Sequence, residues 1–573
     1  MDDIEDLHIT KKNINENIIE NITFSLNEFC LNYKGTNIKH DFINYMSKMA
    51  RQNKIALKKT DIILTYRYLL ESNKLIENIS FEKLMCKKPS RSISGITSIT
   101  LVMSPYPNGQ TFSCKHNCYY CPNEPAHEGN NFQAQPRSYL YNEPAVRRAN
   151  KNQFKAFEQM IDRMNTLYLN GHTIDKLEII IEGGTYTEYP IEYLNDFNRD
   201  IYYSANTYYD KIKREPLTLS EEVYINQTTK VHIIGICIET RPDALSSDWI
   251  YHFRNSGITR IQLGVQSTHN DILKKLNRGH TIEQVCAAME YLKNLCFKID
   301  IHIMPDLPFS TPEKDMETFD FVYNILQPDQ LKIYPCAVTP WTIIEKWYKK
   351  GIWKPYEPNQ LLEVMNYAMD KCPDWIRLPR IIRDIPLEYI QAGNKVTNLR
   401  QSLVDSREIR SREIERHPEY YNKPGKIFVE KYSDKDYFIS YESTDKIALF
   451  GFIRLRLPDN YCTEFSILNG KALIRELHVY GYNTAVGDSA KASQHKGIGS
   501  KLLKKAENIA YFNFYDGIAV ISGEGVKKYY YNKGYNDIDT YMIKKFKYNY
   551  IFLICCFSFY ILWICLWYFH SKW

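Results

Sequence analysis

The sequence lacks a large excess of charge of either sign. Its 573 residues hold 73 Lys+Arg against 67 Asp+Glu, a formal net charge of +6, which permits a nucleic-acid partner without demanding one. No apolar segment follows the acidic start, Met1 to Asp6, so no secretory leader is expected. No internal repeat stands out, which argues against a solenoid. The 14 cysteines do not form a small secreted framework. They are expected in a reducing compartment, where a tight cysteine cluster reads as a metal or catalytic site. Hydrophobic residues make up 44% and charged residues 24%, which excludes a wholly disordered or fibrous chain. At roughly 150 residues per domain the length implies three or four units.

Residues 1–90 are polar and lysine-rich, with helical apolar spacing at Phe42–Ile55 and Ile62–Leu75. They read as a helical region, either a solvated bundle or an RNA-binding surface. From 91 to 345 β-branched runs alternate with amphipathic stretches. Leu177–Ile181, Val231–Glu239, Arg260–Val265 and Lys298–Met304 read as buried strands, and Gln153–Asn170 and Ile282–Leu295 as helices. Such alternation predicts parallel βα units in a full or partial barrel, with chemistry at the C-terminal strand ends. Residues 346–425 read as a helical connector. Residues 426–548 read as a second α/β domain, with strands at Tyr437–Tyr441, Ile447–Leu457, Leu473–Tyr480 and Gly517–Ser522 and a helix at Gly499–Ala510.

Tyr550–Phe569 carries no charge and follows Lys544, Lys545 and Lys547. As a helix it would span about 30 Å, the thickness of a bilayer core. It predicts a C-terminal transmembrane tail anchor, with the protein on the cytoplasmic face of a membrane, the mitochondrial outer membrane favoured over the endoplasmic reticulum.

Three local patterns carry chemistry. Cys114-x3-Cys118-x2-Cys121 places three thiols where they can ligate three irons of a [4Fe–4S] cluster and leave the fourth open to the amino and carboxylate groups of S-adenosylmethionine. A zinc site is the competing reading, with His116 or His127 as fourth ligand. Gly183-Gly184-Thr185 ends a predicted strand, where the backbone can approach a ligand closely. Gln494-His-Lys-Gly497-Ile498-Gly499 opens a helix after a strand, a pattern suited to pyrophosphate and lacking the Gly-Lys-Ser/Thr of a Walker loop. Tyr529-Tyr530 follows the next strand.

Together these blocks resemble the catalytic subunit of Elongator, which joins a radical-SAM barrel to a Gcn5-related acetyltransferase domain. The resemblance runs from about Lys87 to Phe546. It is carried by Cys118-Tyr-Tyr-Cys-Pro122, Gly171-His-Thr-Ile-Asp-Lys176, Glu239-Thr-Arg-Pro-Asp243, Gly264-Val-Gln-Ser267, Asn277-Arg-Gly-His-Thr281, Arg475-Glu-Leu-His-Val-Tyr-Gly481 and Ala519-Val-Ile-Ser-Gly523. It implies a tRNA-modifying enzyme. A radical derived from S-adenosylmethionine takes hydrogen from the methyl of acetyl-CoA. The resulting carbon radical adds to C5 of the wobble uridine, and thioester hydrolysis leaves 5-carboxymethyluridine.

By this resemblance Cys114, Cys118 and Cys121 hold the cluster. Gly183, Gly184, Thr185, Glu239 and Gln266 lie about S-adenosylmethionine. Lys176, Glu476, Leu477, His478, Val479, Gln494, Gly497, Ile498, Gly499, Ser500 and Tyr530 lie about acetyl-CoA, with Lys176, Tyr529 and Tyr530 as candidate catalytic residues. Implied partners are tRNA, other Elongator subunits and a second copy of the chain. Lys87, Lys88 and Arg91 are candidate phosphate contacts. A lysine acetyltransferase using the second domain alone is the competing function, and it would need neither the three cysteines nor S-adenosylmethionine.

Overall fold

The computed structural model describes residues 15–88, 95–396, 398–459, 461–481 and 497–547. Six strands run parallel in the order β1-β2-β3-β4-β5-β6: β1 (Thr97–Val102), β2 (Lys176–Glu182), β3 (His232–Thr240), β4 (Ile258–Gln266), β5 (Lys298–Ile303) and β6 (Gln330–Ile333). Parallel neighbours require crossovers. Helices Ala156–Leu169, Ile191–Asn206, Ser247–Asn255, Ile282–Asn294 and Pro312–Phe321 lie within them. Strands β1 and β6 are each paired on one side only within this sheet, so it forms an open half barrel.

Side-chain alternation gives this sheet two unlike faces. Ile99, Ile179, Ile236 and Ile258 register across four strands, and Leu101, Ile181, Ile238, Ile261 and Ile299 across five. All are fully buried in one apolar core with the crossover helices. The rows between them are polar. Arg260 registers with Lys298, and Glu239, Gln262, Asp300 and Gln330 register in turn. These residues, with Glu178, line the hollow of the half barrel.

The expected connector is tied to the barrel. Helix Pro358–Asp370 buries Val364, Met365 and Ala368 in the barrel core. The chain then runs along β6, where Leu331 N donates to Arg377 O at 2.9 Å and Ile333 N to Arg380 O at 3.1 Å. A two-strand ribbon, β7 (Ala337–Val338) and β8 (Ala392–Gly393), closes this region.

The second sheet has the order β14-β15-β13-β12-β11-β10-β9. Its strands are β9 (Gly425–Lys431), β10 (Asp436–Ser443), β11 (Leu449–Arg456), β12 (Lys471–Val479), β13 (Gly517–Val520), β14 (Asn536–Ile538) and β15 (Tyr541–Lys545). Only β12 and β13 are parallel. They pair over Lys471–Ile474 and Gly517–Val520 and then part, while β12 continues to Val479 beside β11. Helix Ile498–Phe512 packs its buried face, Leu502, Leu503 and Ala506, in the core of this sheet.

The second sheet docks on the strand beginnings of the barrel. Asp329, just before β6, accepts two hydrogen bonds from Arg475, at 2.5 and 2.9 Å, and lies 3.4 Å from Arg454 Nε. Its Oδ2 also accepts from Ile299 N at 2.8 Å. Burial would raise the Asp329 carboxyl, but Arg475 and Arg454 outweigh it and hold it near about 2. Tyr541 Oη donates to Leu295 O, and Arg254 Nη2 to Thr540 O. At the other end of the chain, helices Asn15–Asn32, Ile38–Gln52, Lys59–Glu71 and Ile79–Met85 share a small core of their own. Arg67 joins it to the barrel by donating to Tyr168 O and His172 O.

The expected membrane helix is corrected. Among the described residues no helix is long and apolar enough to cross a membrane. Helix Asn15–Asn32 has 18 residues but carries Glu20 and Glu28, and a span needs about 20 predominantly apolar residues. Tyr550–Phe569 lies outside the described residues. The membrane partner and the tail-anchored location therefore have no support in the fold.

Asp329→Ala leaves two fully buried arginines without their shared anion. Loss of one partner from a buried ion pair costs about 3–5 kcal/mol, so the variant is expected to unfold at clearly lower denaturant. An unchanged midpoint in equilibrium unfolding would contradict this.

Candidate active site

The cysteine loop sits over the C-terminal ends of β1 to β4. Cys121 N donates to Cys118 O in a tight turn, and Tyr119 is pinned by bonds to Leu276 and Ile343. The turn after β2 supports its base. Thr185 N donates to Ser113 O at 3.2 Å, and Thr185 Oγ1 donates to Cys114 Sγ at 3.2 Å. Gly184 has φ +91°, and a Cβ there would lie 2.4 Å from Ser113 O, so any side chain would push the loop away. Gly183, Gly184 and Thr185 thus lie directly beneath Cys114.

Two arginines meet Cys118. Arg278 Nη1 lies 3.6 Å and Arg241 Nη1 3.8 Å from its sulfur. Burial opposes ionisation of the thiol, but the two guanidiniums outweigh it and hold Cys118 below its ordinary value. Burial pushes the Cys121 thiol up. Asp243 grips Arg241 through two bonds of 2.9 and 2.8 Å.

Three thiols on one short loop, one favoured as thiolate and one accepting from a hydroxyl, fit an iron–sulfur cluster in donor chemistry. The arrangement is not preset: among the described residues no group of three His, Cys, Asp or Glu side chains could hold a metal ion. Zinc fits less well. His127 uses Nε2 on Glu124 and Nδ1 on Gly129 N, and His116 faces Glu188 at 3.9 Å.

Below the loop lies a cavity of about 770 Å³ that runs the height of the barrel. Cys121, Gln266 and Met304 line its upper end, and Leu477, His478 and Tyr530 its lower end. Glu178 pairs with Arg260 Nη1 at 2.9 Å, and Arg260 Nε lies 3.4 Å from Asp300. Lys332 and His302 both contact Gln262 Oε1. Glu239 accepts from Tyr139 Oη at 2.6 Å. Gln266 adopts φ +75°, and its Oε1 is buried without a partner. A non-glycine residue held in that region is costly, a common mark of a functional site.

The second group of expected residues gathers where β12 and β13 part. Gly497 has φ +73° and caps the helix that Ile498, Gly499 and Ser500 begin. The first-turn N–H groups of that helix have no carbonyl within the helix to bond, which suits a phosphate. Tyr529 packs beside this turn, since a Cβ on Gly499 would lie 3.0 Å from its hydroxyl. The Tyr529 hydroxyl is buried without a partner. Tyr530 stands edge-on to Tyr529 and lines the cavity. Glu476 is spent on structure: Arg454 and Lys298 lie 3.0 and 3.7 Å from its oxygens. Burial is outweighed by Lys298 and Arg454, and the carboxyl sits near about 2. Val479 ends β12. Lys176 begins β2 in register with His232, and His232 packs against Gly525 of the second domain. Lys176 is therefore far from the cysteine loop and near the second sheet. Gln494 and Arg91 lie outside the described residues.

Sequence reasoning missed the inner face of the barrel. The signal was present as alternation in Lys298-Ile-Asp-Ile-His-Ile303 and Gln330-Leu-Lys-Ile333, and in Lys176-Leu-Glu-Ile-Ile-Ile-Glu182 with Ile180 as its one break, in which every second residue is aliphatic. It also gave Arg241 and Arg278 no role. Both lie in blocks that carry the resemblance, Glu239–Asp243 and Asn277–Thr281, but their contact with Cys118 is made from separate strand ends and cannot be read from either block.

The profile of the radical SAM superfamily matches residues 110–322, and that of the radical SAM C-terminal domain matches residues 328–408. The tRNA uridine(34) acetyltransferase of Dehalococcoides mccartyi is 35% identical over 480 residues, 80% of this chain and 99% of that protein. Elongator complex protein 3 of Homo sapiens is 33% identical over 485 residues, covering 80% and 86% of the two chains. The solved structure of Methanocaldococcus infernus Elp3 with an N-terminal deletion matches with a TM-score of 0.65 at 32% identity, over 79% of this chain and all of that one.

Glu182 ends β2 in the cavity, facing Glu239, Glu143, Lys332 and Arg380. Burial and then Glu239 push its carboxyl up to about 7. The folded state then holds this proton more tightly than the unfolded chain. Stability should fall as pH rises from the ordinary value of 4.5 toward about 7, and Glu182→Gln should remove that slope. Unfolding midpoints measured across this window test it; equal slopes in both proteins would contradict the assignment.

Proposed function

The chain belongs to the family of Elongator complex protein 3 and the tRNA uridine(34) acetyltransferases, and from this we propose that it is a radical acyltransferase that makes 5-carboxymethyluridine at the wobble position of tRNA. The observation that carries the reading is the single cavity lined by Cys121 and Gln266 at one end and by Leu477, His478 and Tyr530 at the other. A lysine acetyltransferase would need only the second end.

When bound, the [4Fe–4S] cluster and S-adenosylmethionine supply one-electron chemistry that yields a hydrogen-abstracting radical. In this reading Cys114, Cys118 and Cys121 hold the cluster, and Arg241 and Arg278 offset the negative charge at Cys118. Thr185 orients Cys114 through its hydroxyl. Gln266 and Glu239 face the space where S-adenosylmethionine would lie, with Glu239 fixed by the Tyr139 hydroxyl. The amides of Ile498, Gly499 and Ser500 take the pyrophosphate of acetyl-CoA, and the backbone of Glu476 to Val479 runs beside its arm. Tyr529 stands beside that helix turn and Tyr530 lines the cavity, where a hydroxyl can donate to the thioester. Lys176 serves the acetyl-CoA end. tRNA is the proposed macromolecular substrate, with Elongator-type subunits or a second copy of the chain as proposed partners.

Reconstituted full-length protein, given S-adenosylmethionine, acetyl-CoA, a reductant and unmodified tRNA without oxygen, is expected to form 5-carboxymethyluridine and 5′-deoxyadenosine, read by mass spectrometry. Cys118→Ala and Gly497→Glu should each reduce the modified uridine to background. A cluster-loaded protein that leaves uridine unchanged but acetylates lysine, with or without Cys118, would overturn the proposal.

A further inference from the structure

Resting on that reading, we infer that Glu182 holds the target uracil in place, its carboxyl exchanging two hydrogen bonds with the N3–H and O4 edge of the base.

Glu182 is the last residue of β2, and its side chain lines the cavity. Its carbonyl accepts from Met103 N at 2.8 Å, which ties the strand end to the residue after β1. The next residues, Gly183 and Gly184, form the turn that packs against Ser113 of the cysteine loop. A group mounted here sits at the upper end of the cavity, on a strand end held by its neighbour.

The other carboxyls of the wall are spent. Glu143 pairs with Arg383 at 2.8 Å, Asp384 with Arg380 at 3.2 Å and Glu476 with Arg454 at 3.0 Å. Glu178 and Asp300 share Arg260, and Tyr139 holds Glu239. Among the described residues the Glu182 carboxyl has no hydrogen bond and no ion pair. A carboxyl left free in a cavity wall is available to a ligand.

Its surroundings set the kind of ligand. Ile181 registers with Ile238, so Glu182 and Glu239 follow side by side at the ends of β2 and β3. Tyr139 and Glu143 face it from the segment before helix Pro144–Lys151, Lys332 and Tyr334 from β6 and just beyond, and Arg380 from the chain beside β6. Burial and the Glu239 charge outweigh Lys332 and Arg380, so the carboxyl keeps its proton up to about 7. The protonated group presents one O–H donor beside one carbonyl acceptor. The imide edge of uracil presents the complement, an N3–H donor beside the O4 acceptor, and unstacked bases are read on this edge. The pair leaves the C5–C6 edge of the ring uncovered, where the new bond would form. S-adenosylmethionine is a cation and would favour the ionised carboxylate, and an acetyl group offers an acceptor but no donor. An ionised Glu182 would accept from N3–H but repel O4, so the contact weakens as pH rises through about 7.

RNA stem–loops bearing uridine or 3-methyluridine at the wobble position test the contact, since the methyl group removes the N3–H donor. Affinities are read by fluorescence anisotropy on reconstituted full-length protein with S-adenosylmethionine and no reductant. They are measured at about pH 6 and about pH 8.5, on either side of the Glu182 titration. Wild type is expected to prefer uridine about tenfold at the lower pH, the scale of one or two hydrogen bonds, and to lose the preference at the higher. Glu182→Gln keeps an N–H donor and a carbonyl acceptor at every pH. It should keep the preference at both values and bind uridine more tightly than wild type at the higher. Glu182→Ala should show no preference at either. Titration elsewhere in the protein acts on both RNAs alike and cancels in the ratio. A preference that persists in Glu182→Ala, or wild-type affinities in the same ratio at both pH values, would overturn the contact and leave the proposed function standing. Failure of wild type to bind either RNA would overturn the proposed function and the contact with it.

Discussion

Charged side chains on the inner face of a parallel sheet must find partners or water, because an unpaired buried charge costs far more than a fold's margin of stability. This barrel meets that requirement by staying open and by pairing its charges. Six strands rather than a closed ring leave a hollow, and Glu178, Arg260, Asp300 and Lys332 share contacts across it. A closed barrel filled with aliphatic layers would be a packed core. The polar rows are the reason this one keeps a cavity.

The same economy operates at the junction of the two sheets. Asp329, Arg475 and Arg454 are buried, Glu476 is half-buried, and the four are linked by ion pairs. Removing one member leaves the others uncompensated, so the network fixes the relative placement of the halves more than it adds net stability. That placement sets the notch of β12 and β13 below the strand beginnings, while the cysteine loop stays above the strand ends. In the proposed function, two reagents would then approach one space from opposite ends.

Much of this order was readable in the chain. The strands expected at Leu177–Ile181 and Lys298–Met304 occupy Lys176–Glu182 and Lys298–Ile303, because β-branched runs between turn signals have few alternatives. The helix expected at Gly499–Ala510 occupies Ile498–Phe512 behind a left-handed Gly497. The inner face was not seen, because each strand was taken for a uniformly buried run and its alternation passed over. Arg241 and Arg278 stand in blocks that were read, but their role was hidden for another reason: their contact with Cys118 is made by the fold, across more than a hundred residues of sequence. The span 346–425 was read as a connector from its prolines and charge, yet Arg377 and Arg380 continue the barrel by pairing with β6. The apolar run after 548 was read from hydropathy alone. Hydropathy reports length and polarity and gives no information about packing.

The central claim is that both ends of one cavity serve one reaction. The most direct measurement uses acetyl-CoA carrying a fully deuterated methyl group in the complete tRNA reaction. The account predicts deuterium in the recovered 5′-deoxyadenosine and a carboxymethyl group on uridine with one deuterium fewer than the acetyl methyl. Modified uridine formed with no deuterium in 5′-deoxyadenosine would show that the two ends work separately, and would contradict the account.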